Sequence, residues 1–214
     1  MKQALTAVAL ASAALLVLAC GALLVCPGRP CAVPALDVAG LATLNAWRTG
    51  WLDRGFMILT WLGSLYVLLP AAVLLAWRAR RASLPRAAAF VPAALIGAAI
   101  LARLAKLGIE RPRPDLFPAL ITMPDDASFP SAHAMQATAL VAAWLLRSGA
   151  RFAYGEALAG VLLVAAVAFS RVYLQVHFPS DVALGMVAAL LWVMALRGLP
   201  LWQKADQPGT GETR

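Results

Sequence analysis

The sequence predicts an all-α protein, a six-span transmembrane helical bundle, and three observations support this prediction. The chain of 214 residues is 62% hydrophobic and only 13% charged, whereas soluble domains are about half apolar and about a quarter charged. Six apolar stretches reach or approach the roughly 20 residues that a helix needs to cross a bilayer. Basic residues are concentrated in particular connections between these stretches, as they are in multi-pass membrane proteins.

The predicted spans follow one another through a single domain, residues 1–202. The fourth and sixth spans are short, and each begins beside a polar cluster. The segment after them, residues 203–214, is polar and contains two glycines, so it is predicted to be a disordered tail. The spans lie near residues 4–26, 56–77, 87–105, 132–147, 153–173 and 182–197.

The connection at residues 78–86 sets the orientation, because it holds four arginines and no acid. Short cytoplasmic connections collect Lys and Arg, so we expect this connection in the cytoplasm. Counting spans from it places both chain ends in the cytoplasm as well. The basic residues that then fall at or beyond the outer boundary are Arg29, Arg48, Arg54, Arg103, Lys106, Arg111, Arg113 and Arg171.

The net charge of +8 does not indicate a nucleic-acid partner. The chain has no long basic run and no basic patch interleaved with aromatic residues, which are the features of a nucleic-acid surface. Topology and the anionic headgroups of the bilayer account for the excess of Lys and Arg. The predicted partner is therefore the lipid bilayer.

The first apolar stretch has three interpretations: a retained anchor, a cleaved signal peptide or, from VLACG around Cys20, a lipoprotein cleavage site. Its length favours the retained anchor. Cys26 and Cys31 either pair on the outer side or have packing and loop roles, and we favour the latter. The three cysteines do not have the spacing of a metal site.

Residues 34–56 connect the first span to the second. Leu41, Leu44, Trp47 and Trp51 are spaced three or four residues apart in this segment, with polar residues between them. The spacing predicts a short amphipathic helix in the outer interface, with tryptophans at headgroup level. A plain connecting loop is the alternative.

Three polar clusters lie at the outer ends of the predicted spans. One follows the third span, one opens the fourth, and one connects the fifth to the sixth. Ionisable side chains cost roughly 2.5 to 3.5 kcal/mol each to insert into a bilayer, so they usually face the interior of a bundle and mark function. The clusters are Lys106, Arg111 and Arg113; Ser131 and His133; and Arg171, His177 and Asp181.

These residue types suit phosphoryl transfer. Lysine and arginine bind phosphate oxygens, and a helix that begins after Pro-Ser offers a hydroxyl and backbone N–H groups to an anion. His177 lies four residues before Asp181, whose carboxylate could set the tautomer of the ring and leave its other nitrogen free to attack. His133 could protonate the leaving oxygen.

Each of these residues also has an ordinary structural interpretation. A histidine at a helix start is often a cap, and an arginine at a membrane edge often extends to the headgroups. Asp181 could simply cap the last helix. The functional interpretation is favoured because both histidines of the chain fall within the same clusters as most of the outer basic residues.

The spacing resembles the type 2 phosphatidic acid phosphatase superfamily of lipid phosphatases. Its first motif, Lys, six residues, Arg-Pro, is matched by Lys106 and Arg113 in KLGIERPRP; Arg111 lacks the spacing. Its second motif, Pro-Ser-Gly-His, appears as PSAH at residues 130–133. Its third, Ser-Arg, five residues, His, three residues, Asp, is matched within SRVYLQVHFPSD at residues 170–181.

The resemblance implies a role for each matched residue. His177 is expected to be the nucleophile, Asp181 its orienting carboxylate and His133 the general acid. No cofactor and no metal are expected. Ala132 replaces the glycine of the motif, and the methyl group of alanine restricts positive φ and close backbone approach. The phosphate-binding residues are expected to be Lys106, Arg113, Ser131, Ala132 and Arg171.

The expected function follows from this resemblance. The chain is expected to be an enzyme of the bacterial inner membrane that hydrolyses a lipid phosphate or pyrophosphate at the outer face, through a phosphohistidine intermediate. Undecaprenyl pyrophosphate is the first choice of substrate, and phosphatidylglycerol phosphate, phosphatidic acid and lipid A phosphates also fit. The alternatives are a lipid phosphotransferase and a non-catalytic protein or transporter that binds anionic lipid.

Overall fold

The computed structural model describes residues 2–26, 28, 31–147 and 153–203. Within these ranges the chain is helical and contains no strand, which confirms the all-α fold class. A short 3-10 helix, Thr60–Gly63, connects α3 to α4. The α-helices are α1 (Lys2–Val25), α2 (Ala35–Ala46), α3 (Gly50–Leu59), α4 (Leu65–Arg81), α5 (Pro85–Ile109), α6 (Ala132–Leu146), α7 (Tyr154–Tyr173), α8 (Pro179–Gly198) and α9 (Pro200–Gln203).

All six predicted spans are helical, but they are not alike. In the described part of the chain, α1, α5, α7 and α8 are each long and apolar enough to cross a membrane. The pair formed by α3 with its 3-10 helix and α4 meets the same criterion together and is bent by 50°. Helix α6 has 15 residues and is too short to qualify as a membrane span by itself. The chain is a multi-pass membrane protein with four or five qualifying spans, and the count of six stays a prediction.

Helix α6 lies in the interior of the bundle, in contact with α4, α5, α7 and α8. Its residues from Ala134 to Leu140 are all buried, and three of them are alanines. Small side chains allow neighbouring helices to approach closely. Because protein surrounds it, α6 can carry polar residues at its start without exposing them to lipid.

Prolines mark where α5 and α8 begin. Pro85 and Pro179 each occupy the first position of their helix, where the missing N–H costs no intrahelical hydrogen bond. At its other end, α5 stops at Ile109 because Glu110 adopts a left-handed conformation with φ of 44°. The end of α5 and the start of α8 thereby lie beside the start of α6.

The amphipathic helix predicted for residues 34–56 is two helices, α2 and α3, so a single continuous helix is wrong. The helical chain is interrupted between Ala46 and Gly50. Leu41 and Leu44 are buried against the segment 172–178, which confirms the apolar face. Trp47 and Trp51 are exposed, as expected of interfacial tryptophans.

Cys26 and Cys31 form a disulfide, so the packing and loop roles favoured from the sequence are wrong. The two residues follow the end of α1 and are only five positions apart, which is close enough for pairing within one turn. Cys20 is exposed and unpaired. The predicted disordered tail lies outside the described residues, apart from Gln203 at the end of α9.

Candidate active site

The three predicted polar clusters meet at one end of the bundle. This follows from topology, because α5 and α7 end where α6 and α8 begin. Two contacts join different clusters: Nη1 of Arg113 lies 3.3 Å from Nε2 of His177, and the N–H of Ser131 donates to the carbonyl of Asp181 at 3.1 Å. The structure therefore brings together residues that are up to 75 positions apart.

His177 and Asp181 are both buried in the site. His177 is 2% exposed and Asp181 is fully buried. The Nδ1 atom of His177 lies 3.6 Å from Oδ2 of Asp181. The same Oδ2 accepts hydrogen bonds from the N–H of Phe178 at 3.0 Å and from the hydroxyl of Ser128 at 2.5 Å. Asp181 therefore caps the start of α8 and also faces the imidazole of His177, and its role as the orienting carboxylate stays a prediction.

The contacts of His177 indicate which ring nitrogen carries the proton. Nη1 of Arg113 lies 3.3 Å from Nε2, and a guanidinium can only donate hydrogen bonds. Nε2 is therefore the acceptor, with the proton on Nδ1 toward Asp181. Burial lowers the pKa of His177 to about 3, aided by the charges of Arg171 and Arg113 and opposed by Asp181. The ring is neutral at physiological pH, with a lone pair on Nε2.

Asp126 bridges the two cations of the first cluster. Its carboxylate is bonded to Arg113 and lies 3.4 Å from Nζ of Lys106. Arg113 also donates to the carbonyl of Asp126 at 2.9 Å and to that of Val176 at 2.7 Å. Partial burial would raise the pKa of Asp126, but the hydrogen bond from Arg113 and the charge of Lys106 hold it below the ordinary value. Asp126 was not among the site residues predicted from the sequence.

The start of α6 presents polar groups that are not engaged. Ser131 is fully buried, and its hydroxyl has no hydrogen-bond partner among the described residues. Ala132 is the first residue of the helix and has no positive φ, so alanine fits where the motif has glycine. The first amides of a helix lack intrahelical partners and can bind an anion.

Arg171 and His133 complete the set of predicted residues. Arg171 is 3% exposed; it donates from Nη1 to the hydroxyl of Thr60 at 2.6 Å, and its Nε has no partner in the described chain. His133 is half-buried in the first turn of α6. A Cβ placed on Gly63 would lie 3.0 Å from that of His133, so glycine permits this close approach. Thr60 was not predicted from the sequence.

Arg111, left without a role by the motif spacing, is the centre of a buried network. It is 1% exposed and bonds to Asp37 of α2 at 2.8 Å, to Ser180 at 2.9 Å and to Asp181. Asp37 in turn accepts hydrogen bonds from the N–H and the hydroxyl of Ser180, at 2.9 and 2.6 Å. The network anchors α2 to the start of α8 and holds Asp181 in place.

Sequence reasoning missed Asp37, although the chain contained a signal for it. Asp37 precedes Leu41 by four residues and Leu44 by seven, which places it on the buried face of α2. An acid on a buried helical stripe requires a cationic partner. The partner is 74 positions away, and only the folded chain identifies it as Arg111.

A cavity of about 670 Å³ adjoins the site and opens beside Lys106, Arg113 and Asp126. Its wall is formed by the last turns of α5 and by the segment at residues 123–127. In the described ranges, no group of three or more His, Cys, Asp and Glu side chains has the arrangement of a metal site. The charged residues that line the cavity are four cations, Arg103, Lys106, Arg111 and Arg113, and three acids, Glu110, Asp125 and Asp126.

Comparison with known proteins gives a consistent result. Residues 86–204 match the family model of the PAP2 superfamily. The decaprenylphosphoryl-5-phosphoribose phosphatase of Mycobacterium tuberculosis is 41% identical over 128 residues, or 58% of this chain. The match spans 64% of that relative's length.

Two solved structures share the fold. One is the transmembrane PAP2-type phosphatidylglycerolphosphate phosphatase of Bacillus subtilis, with a TM-score of 0.69 and 26% identity over 90% of this chain and 94% of the other. The other is LpxE of Aquifex aeolicus, with a TM-score of 0.64 and 24% identity, covering 77% of this chain and 96% of the other. The second likeness concerns the fold alone.

Proposed function

The chain belongs to the PAP2 superfamily, and from this premise we propose that it is a metal-independent phosphatase that removes a terminal phosphate from a membrane lipid. The observation that carries the proposal is the buried imidazole of His177, which lies between the carboxylate of Asp181 at 3.6 Å and the guanidinium of Arg113 at 3.3 Å. A buried histidine whose Nε2 faces a phosphate-binding cation suits nucleophilic attack on phosphorus once the phosphate has drawn Nη1 of Arg113 away from that nitrogen.

Substrate binding begins with an exchange of anions. The terminal phosphate replaces the carboxylate of Asp126 on Lys106 and Arg113. Its remaining oxygens accept hydrogen bonds from the hydroxyl of Ser131 and from Nε of Arg171, both of which lack partners in the described chain. The amides at the start of α6, including that of Ala132, add to this cradle. Donors set in advance around the phosphoryl oxygens stabilise the charge of the transition state.

The reaction proceeds in two displacements. In the first, Nε2 of His177 forms a bond to phosphorus while the bond from phosphorus to the lipid oxygen breaks, and His133, which is protonated in the complex with the anionic phosphate, donates its proton to that oxygen. In the second, His133 takes a proton from water as the water oxygen attacks the phosphohistidine. The P–N bond breaks, inorganic phosphate leaves, and both histidines return to their starting states. Asp181 stabilises the positive charge that His177 carries in the intermediate.

The substrate is a lipid whose phosphate reaches one end of the bundle. Undecaprenyl pyrophosphate remains the first candidate. The name of one relative adds a decaprenylphosphoryl sugar phosphate to the panel, and that of another agrees with phosphatidylglycerol phosphate, which was already a candidate. Phosphatidic acid and lipid A phosphates are the other candidate substrates.

We place the site at the outer face of the bacterial inner membrane, with both chain ends in the cytoplasm and residues 1–202 forming one domain. The support is the cluster of Arg78, Arg80 and Arg81 in the last turn of α4, which the positive-inside rule assigns to the cytoplasm. A single cysteine in the 115–128 connection, in a Cys-free background, should react with impermeant reagents added from outside. Reaction only from the cytoplasmic side would invert this topology.

The test of the activity uses the purified chain in detergent with a chelator present. We expect release of inorganic phosphate from at least one lipid of the panel, and loss of that release in His177→Ala. The thermal unfolding midpoint of the variant serves as the control for folding. Absence of release from every lipid, or its disappearance with chelator alone, would contradict the proposal. A phosphorylated lipid acceptor in place of inorganic phosphate would show phosphotransfer.

A further inference from the structure

Arg103 lies on α5 one turn before Lys106, outside the set of residues matched by the motifs. Its side chain is exposed, and within the described part of the chain no carboxylate forms an ion pair with it. Residues three apart on a helix have Cβ atoms about 5 to 6 Å from each other, so Arg103 and Lys106 lie on adjoining parts of one face. The phosphate-binding role of Lys106 does not account for this second cation.

Arg103 lines two different cavities. One is the polar cavity beside Lys106 and Arg113. The other is a groove of about 330 Å³ between α4 and α5, which we call the α4–α5 groove. Apart from Arg103, the groove is lined only by apolar side chains. They are Leu65, Leu69, Ile96, Ala99, Ile100 and Leu104.

The α4–α5 groove has the properties of a site for a lipid chain. Ile96, Ile100 and Leu104 are each about half exposed or more, and they belong to α5, one of the qualifying spans. A hydrocarbon chain in the groove would reach Arg103 before it reached Lys106. Any group at Arg103 therefore lies between the apolar chain and the terminal phosphate of a bound lipid.

We propose that Arg103 binds a second phosphate of the substrate, the one that links the terminal phosphate to the apolar chain. The guanidinium fork matches the two free oxygens of such a phosphate. An arginine near the bilayer without an acidic partner is costly unless it meets an anion. The inference rests on the proposed function and narrows the substrate class to lipid diphosphates and to lipids with a phosphodiester before the terminal phosphate.

The test compares two ligands that share one prenyl chain. One carries a non-hydrolysable diphosphonate and the other a monophosphonate, and their affinities are measured by the thermal shift of the protein in detergent. We expect Arg103→Gln to lower the affinity ratio of diphosphonate to monophosphonate by about tenfold, as for one charge-assisted hydrogen bond. Arg103→Lys should restore part of the ratio.

Arg54 provides the matched control, because it is another exposed arginine of the chain, located on α3 and lining neither cavity. Arg54→Gln should leave the ratio unchanged. If Arg103→Gln also leaves it unchanged, Arg103 only contacts headgroups and the inference is overturned. Because binding is measured without turnover, this outcome is distinct from failure of the proposed function, which appears as absence of phosphate release by the unmodified chain.

Discussion

Arg111 and Arg113 are two positions apart in one tetrapeptide, yet their partners differ in a way that separates structure from function. The carboxylates that bind Arg111 belong to Asp37 and Asp181, whose side chains are 2% and 0% exposed. The carboxylate that binds Arg113 belongs to Asp126, whose side chain is 35% exposed and borders the cavity. A ligand can therefore replace Asp126 as the partner of Arg113. It cannot reach the buried carboxylates that bind Arg111.

The local sequence explains how both arginines leave α5. Each precedes a proline, and a residue before proline is disfavoured in helical conformation. The chain therefore runs from Glu110 in an irregular path past the C-terminal end of α7 and the N-terminal end of α8. Arg111 turns toward α2 and α8, where Phe178 lies under its guanidinium with the ring centre 4.0 Å from Cζ. Arg113 meets the carbonyl of Val176 beside His177.

The largest effect is expected from Arg111→Ala, and it should be a loss of stability. The change leaves Asp37 and Asp181 as buried carboxylates without their cation, and breaking a buried pair in this way costs about 3 to 5 kcal/mol. Denaturant unfolding in detergent micelles measures the loss. Adding Asp37→Asn should recover part of it, because one of the two uncompensated charges is removed. Equal stability of Arg111→Ala and the unmodified chain would contradict the structural role.

Arg113→Ala should instead reduce activity while the fold persists. Removing one donor that stabilises transition-state charge lowers kcat by about 10² to 10³-fold in comparable sites. The unfolding midpoint should change far less than in Arg111→Ala, because Asp126 is partly exposed and can be solvated. Steady-state kinetics on the best lipid substrate provide the measurement. A variant that unfolds as readily as Arg111→Ala would erase the contrast between the two arginines.

The sequence predicted the residues whose relationship is local and missed those brought together only by packing. Lys106 and Arg113, or His177 and Asp181, stand at short, regular spacings that indicate a common site. Asp37 and Asp126 have no such relation to their partners, and their contacts depend on where α2 and the 123–127 segment come to rest. The span prediction has a similar limit, since α6 is apolar but has only 15 residues, and its contacts with α4, α5, α7 and α8 appear only in the folded chain.

Asp126→Asn tests whether the partner of Arg113 is replaceable. Without its charge, Asp126 no longer competes for Lys106 and Arg113, so inorganic phosphate should inhibit more strongly. We expect its inhibition constant to fall about fivefold, the upper range for a partly exposed ion pair. Asp125→Asn is the matched control, since Asp125 is exposed, lines the same cavity and carries the same charge. An equal fall in both variants would indicate a general effect of charge rather than displacement.

The smallest effect concerns His177, which joins the two regions because it faces Arg113 on one side and Asp181, the partner of Arg111, on the other. Its pKa is lowered from 6.5 to about 3 by burial. In this pH range the unfolded chain therefore binds a proton that the folded chain does not. The contribution of His177 to the free energy of unfolding is full above pH 6.5 and is lost progressively as the pH falls toward 3.

Between pH 8 and pH 6 the free energy of unfolding should fall by about 0.8 kcal/mol. The measurement is the difference in the pH dependence of unfolding between the unmodified chain and His177→Asn. Identical pH dependence would mean that the folded site accepts a protonated imidazole, and a charged ring could not serve as the nucleophile.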